Sequence, residues 1–327
     1  MKKAIKENGF LFLIFLTIIV VAGREIIVAC NQPKLPEFVH SPTDHWVAPS
    51  LYLNSTEGFN RQEIIYGEDL IANTARYFGP KGSVAQMSNG MNCQNCHLQA
   101  GTKPWGSNFG GVFSIYPKFN NRSGKTEGIE SRVNDCFERS LNGSALDTAG
   151  KEMRAMVAYI SWLGRDVPHG TRPKGSGIAE LPYPDHAADP GEGQRLYAAK
   201  CARCHGAEGQ GVSDVQNIGY LYPPVWGPKS YNTGAGLFRL SKLAGFIKDN
   251  MPFDIATHTN PALTDEEAWN IAAFVNTQPR PQKNTTQDWP DISKKPIDHP
   301  FGPYSDSFSE TQHKFGPFKP IAAAHRQ

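Results

Sequence analysis

Two short segments carry the residue types best suited to chemistry: Cys93-Gln94-Asn95-Cys96-His97 and Cys201-Ala202-Arg203-Cys204-His205. A pair of thiols followed directly by an imidazole is the C-x-x-C-H pattern that attaches c-type haem. The thiols form thioethers with the porphyrin vinyl groups, and the histidine reaches the iron as proximal ligand. A zinc ribbon would place its two C-x-x-C knuckles about 15–20 residues apart, and Cys93 and Cys201 are separated by far more. A thioredoxin-type redox pair needs no following histidine. Two covalently bound haems c, with His97 and His205 on their irons, are therefore expected, and with them electron transfer or redox catalysis.

Each iron has a sixth position whose occupant sets the potential. Downstream of His205 the one methionine is Met251, in Asn250-Met251-Pro252. A thioether there gives His/Met coordination, which raises the potential and suits electron transfer. Lys242, Lys248 and His258 are the local competitors. The corresponding place in the first half holds Cys136. A thiolate is a strong donor that stabilises ferric iron, although a free cysteine is otherwise often a small buried hydrophobe. Arg132 and Ser140 lie one helical turn either side of Cys136, so a helix would put all three on one face. Arg122 stands just before, in Phe119-Asn120-Asn121-Arg122. A surface ion pair is the ordinary role of an arginine, but planar guanidinium forks also suit dianionic oxyanions. A thiolate-ligated iron beside a His/Met iron describes a catalytic centre feeding an exit relay.

These groups need elements to hold them, and the chain offers one plan twice. In the second half, Gly193–Lys200 reads as a short helix running into Cys201. Leu263–Val275 reads as a closing helix, with Thr264 as N-cap and Glu267 completing a capping box, stopped by Pro279 and Pro281. A helix leading to C-x-x-C-H and a helix crossing it at the end resemble a class I cytochrome c domain. The first half matches: apolar spacing predicts a helix over Asn60–Phe78, another around Glu130–Leu141 and a closing one over Gly150–Leu163. Met153 and Met156 fall on the apolar stripe of that closing helix and read as core rather than as iron ligands. The fold class expected is all-α, with two class I cytochrome c-like domains joined by a Pro/Gly-rich linker.

At 327 residues the chain has room for two domains. Its 33 basic and 31 acidic residues nearly balance, which gives no case for a nucleic-acid partner. Met1-Lys2-Lys3 followed by an apolar run from Phe10 to Ala22 reads as a signal segment, and the run is short for a membrane span, which takes about 20 residues. Export to the periplasm is expected, with a membrane or lipid anchor at Cys30 as the alternative. Of the six cysteines, four serve haem, and Cys136 is left as a lone thiol within a folded domain. The expected organisation is 1–30 signal or anchor, 31–165 first cytochrome domain, 166–189 linker, 190–281 second cytochrome domain and 282–327 a Pro-rich extension of irregular structure.

The segment Asn134-Asp135-Cys136-Phe137-Glu138-Arg139-Ser140-Leu141-Asn142-Gly143 resembles the dihaem thiosulfate dehydrogenases. So do the two haem motifs and Tyr231-Asn232-Thr233-Gly234-Ala235-Gly236 ahead of Asn250-Met251-Pro252. The likeness runs from about residue 60 to 281. It implies oxidative coupling of two thiosulfates to tetrathionate at the His/Cys haem, with Arg122, Arg132 and Ser140 holding substrate and Met251 on the second iron. It also implies a small periplasmic cytochrome or similar carrier as electron partner, and tetrathionate reduction in some relatives. Where some members carry a lysine beside this methionine, Asn250 stands here, which favours stable His/Met coordination. A dihaem shuttle without its own substrate, a dihaem peroxidase and a thiolate-haem sulfur-oxidation subunit are the competing readings.

Overall fold

The computed structural model describes residues 45–51, 56–214 and 218–326; the signal segment and Cys30 lie outside them. The first domain begins with α1 (Arg61–Ala72), whose first turn is capped by the Asn60 side chain accepting from the Gln62 and Glu63 amides. The single helix expected to Phe78 is in fact broken at Asn73, and α2 (Thr74–Phe78) resumes after it. The cause is local competition for backbone bonds. The Thr74 hydroxyl donates back to the Leu70 carbonyl at 2.8 Å, while Asn73 Nδ2 donates to Asp69. The break is useful, because the Thr74 hydroxyl also accepts the Cys93 amide at 3.0 Å and so pins the first haem motif to it.

A two-stranded antiparallel hairpin follows, β1 (Lys118–Asn120) and β2 (Lys125–Glu127), with Phe119 opposite Thr126. It leads into α3 (Ile129–Arg139). The domain closes with α4 (Lys151–Leu163), which crosses α1 at Gly67. There a Cβ would sit 2.0 Å from the Ala155 carbonyl oxygen, so only glycine permits the approach. Met153 and Met156 are fully buried in this core, beside Phe78, Phe137 and Trp162.

The second domain repeats the crossing. Helix α5 (Pro190–Lys200) opens on Asp189, whose carboxylate accepts the Gly191 and Glu192 amides. A second antiparallel hairpin, β3 (Val212–Asp214) and β4 (Gly219–Tyr222), follows the haem motif. Then come α6 (Leu240–Asn250) and the closing helix α7 (Asp265–Thr277), on which both bonds of the Thr264/Glu267 capping box form. A Cβ at Gly193 of α5 would lie 1.9 Å from the Asn270 carbonyl oxygen of α7, the same contact as in the first domain.

Residues 164–189 form no helix, yet they pack. Gly175 and Gly177 accept the Trp105 and Ser107 amides, both at 2.8 Å, and Leu181 and Tyr183 lie against the second core. The extension differs from the irregular segment expected of it. It forms α8 (Glu310–Phe315) and α9 (Phe318–Ala324), and Phe318 and Ile321 are buried in the second core. Pro290, Pro296, Pro300 and Pro303 precede both helices, Pro317 is the N-cap of α9 and Pro320 stands in its first turn, where a missing amide costs little.

Candidate functional site

At the first haem motif, residues Cys93–Asn95 form one 3₁₀ turn, locked by reciprocal bonds between Asn92 and Asn95. His97 Nδ1 lies 2.5 Å from the Ser107 carbonyl oxygen. That bond fixes the tautomer and leaves Nε2 as the ligating nitrogen. Phe109 packs on the ring, with centroids 4.5 Å apart. Burial pushes both Cys93 and Cys96 up to about 12, so they stand as neutral thiols, and neither is in a disulfide.

These three residues line a cavity of about 620 Å³, and Cys136 lines it too. Its apolar walls include Ile71, Val133 and Ile160. Two unpaired thiols, an imidazole with its outer nitrogen already engaged, and an opposing thiol around one apolar cavity fit a covalently held haem. His97 and Cys136 are the residues of that set that would hold its iron.

Cys136 sits in the middle of α3. Burial raises its pKa, but the Arg132 guanidinium and a hydrogen bond with His97 outweigh that and lower the thiol to about 7. Arg132 is one turn before it on the same helix and lies deep among protein atoms, with its accessible area opening into the cavity. Ser140, one turn after, donates its amide to the Cys136 carbonyl at 2.8 Å and also lines the cavity. Arg122 reaches the site from the β1–β2 turn, bonded to Asp135, which also faces Arg132 at 3.6 Å. All four residues expected to do chemistry, Cys136, Arg122, Arg132 and Ser140, therefore meet at one cavity. Sequence reasoning missed further cations on its wall, Lys118, Arg172, Arg239 and Lys294, and weighed Lys242, which also lines it, only as a competitor at the second iron. They come from distant segments, and no spacing connects them. It also missed Asp135 as their organiser, although Asp135 adjoins Cys136 in sequence.

The second motif follows α5. His205 Nδ1 lies 2.8 Å from the Pro223 carbonyl oxygen, again leaving Nε2 to ligate. Burial lowers the His205 pKa and pushes Cys201 up to about 11. Met251 terminates α6 and is half-buried against the second core. Each local competitor is engaged elsewhere: Lys242 pairs with Glu180 at 3.0 Å, Lys248 with Asp265 at 2.8 Å and His258 with Asp249 at 3.0 Å. Asn250 is fully buried and donates to the Trp105 and Phe246 carbonyls.

The Tyr231–Gly236 segment locks the two domains together. Asn232 donates its amide to Arg139 O at 3.0 Å and its side chain to Glu138 O at 2.8 Å and Asn142 Oδ1 at 2.9 Å. It thus completes the orphan carbonyls at the C-terminal end of the Cys136 helix. Trp105 reaches back to the second domain, where His258 stacks on it at 3.8 Å.

Known proteins resemble this chain in sequence and fold. Residues 83–169 match the family described as SoxA/TsdA, cytochrome c domain, and residues 191–279 match the cytochrome c family. Two covalent c-type haems follow from that pair of domains. A thiosulfate dehydrogenase of Allochromatium vinosum is 43% identical over 199 residues, covering 60% of this chain and 72% of the relative. One from Psychrobacter arcticus is 42% identical over 207 residues, covering 62% of this chain and 61% of the relative. The solved thiosulfate dehydrogenase TsdBA of Marichromatium purpuratum superposes with a TM-score of 0.65 at 33% identity, covering 73% of this chain and 50% of that one. The match thus spans about three fifths of the Psychrobacter relative and half of the Marichromatium chain.

Proposed function

The chain belongs to the thiosulfate dehydrogenase family, and on that premise we propose that it couples two thiosulfates oxidatively to tetrathionate. The reaction is 2 S₂O₃²⁻ → S₄O₆²⁻ + 2 e⁻: one sulfur–sulfur bond forms between the terminal sulfurs, two electrons leave and no proton moves. The observation that carries the reading is the convergence of Cys136, His97, Arg122 and Arg132 on one cavity. When bound, the haem there supplies a redox centre adjacent to the substrate.

The protein residues address the electrostatic problem. Two dianions held 4 Å apart repel by about 4 kcal/mol even in bulk water, and by more in a desolvated site. Arg122 and Arg132 offset that charge with planar donor pairs. Ser140 supplies a neutral donor on the same wall. Cys136, held toward the thiolate by Arg132, would provide with His97 the donors that hold the haem iron. His205 and Met251 would hold the second haem, and His/Met coordination there would favour passage of electrons to a small periplasmic cytochrome or similar carrier. Since the coupling is an electron-transfer equilibrium, the same groups carry tetrathionate reduction when the carrier is strongly reducing.

The charged start and the apolar run from Phe10 to Ala22 support export to the periplasm, where covalent haem is attached. The test is turnover of the purified dihaem protein with thiosulfate and a dye acceptor, with tetrathionate quantified as product. Stoichiometric tetrathionate is expected. Inertness toward thiosulfate, with rapid electron exchange or peroxide turnover instead, would return the protein to a shuttle or a peroxidase.

A further inference from the structure

The C-terminal extension lies beyond both matched domain segments, yet it returns to the first haem cavity. It is anchored on the second domain by Phe318 and Ile321 and by the fully buried Asp298, which accepts from Arg239 at 2.6 Å and 2.8 Å. From that anchor its earlier residues cover the substrate side, and Trp289 lines the cavity. The Trp289 amide donates to the Arg122 carbonyl at 2.7 Å. Pro290 packs on the β1–β2 turn, 2.7 Å from where a Cβ on Gly124 would stand.

Asp288 makes the decisive contact. Its two oxygens each accept from Arg139 at 2.8 Å, a bidentate pair in which both side chains are only 10% exposed. Arg139 also donates to Asp135 Oδ1 at 3.3 Å, and the other oxygen of Asp135 takes Arg122 and faces Arg132. The carboxylates and guanidiniums thus alternate in a ladder: Asp288, Arg139, Asp135, then the two arginines at the cavity.

Resting on the function proposed above, we infer that Asp288 is a positioning residue for thiosulfate: by holding both terminal nitrogens of Arg139, it leaves Asp135 Oδ2 to orient Arg122 and Arg132. Without it, Arg139 draws Asp135 to itself and the two cavity arginines lose their shared anchor. The extension is then a structural part of the substrate site rather than a tail.

Positioning and simple charge make opposite predictions for Asp288→Asn. Removing a carboxylate adds net positive charge, so charge alone tightens binding of a dianion. Loss of positioning weakens it. In the dihaem protein with a dye acceptor, the KM for thiosulfate is expected to rise about tenfold, with kcat reduced less and the haem spectrum unchanged. Asp288→Glu, which keeps the carboxylate, should restore most of the affinity. An unchanged or lower KM in Asp288→Asn overturns the proposal. A second measurement uses the wild-type protein: saturating thiosulfate should slow amide exchange at Trp289 while leaving α9 unaffected. Equal exchange with and without thiosulfate also overturns it. A wild-type protein inert to thiosulfate defeats the function itself, whereas an Asp288→Asn protein with wild-type KM defeats the positioning role alone.

Discussion

The two haem domains share a scaffold and differ in what faces the histidine. In each, a glycine lets the opening and closing helices touch, at Gly67 and at Gly193. In each, a backbone carbonyl engages Nδ1 of the proximal histidine. The first domain then presents an ionisable thiol, a wall of arginines and a cavity of about 620 Å³. The second presents a half-buried thioether, and Lys248 and His258 near it are tied to carboxylates. On the proposed function, one frame would serve as a reaction site where an ionisable donor and cations line a cavity, and again as a relay where a neutral donor stands.

Exchanging the distinguishing groups should break this division. The largest effect is expected from Cys136→Ala, which should lower thiosulfate turnover by about three orders of magnitude or more. Both haems should remain attached, as read from mass and pyridine haemochrome spectra. Full activity in that variant would remove Cys136 from the chemistry. Arg132→Ala and Arg122→Ala should each cost about a hundredfold in kcat/KM, as losses of charge-stabilising donors do. The matching change in the relay, Met251→Gly, should leave thiosulfate affinity intact. It should shift only the second haem's potential and slow reduction of the carrier about tenfold, the response to a barrier change of about 1.4 kcal/mol. An unmoved redox titration would rule Met251 out as a ligand. At the joint between the domains the effect should fall on stability and not on turnover: Asn232→Ala leaves the Glu138 carbonyl without its donor and should destabilise the protein by about 1–3 kcal/mol. Denaturant unfolding of the holoprotein reads that directly.

What the sequence made legible was local. The haem motifs, the Thr264 capping box and the grouping of Arg132, Cys136 and Ser140 all follow from residues within a few turns of one another. The break at Asn73 was not legible, because apolar spacing continues through it and only the Thr74 hydroxyl bonds reveal it. Long-range contacts were equally hidden. Nothing in the spacing of Asp288 shows that it meets Arg139, or that a proline-rich extension would supply Phe318 and Ile321 to the second core. The role of Asn232 in closing the Cys136 helix was hidden in the same way, since the bonds join segments far apart in the chain.

The account rests on Cys136 as the axial donor of the first haem, and electron paramagnetic resonance of the oxidised dihaem protein tests that most directly. The expected result is a low-spin thiolate–ferric signal from one haem that vanishes in Cys136→Ala, beside a His/Met signal that persists. Nitrogen or thioether ligation at both irons, unaltered in Cys136→Ala, would contradict it.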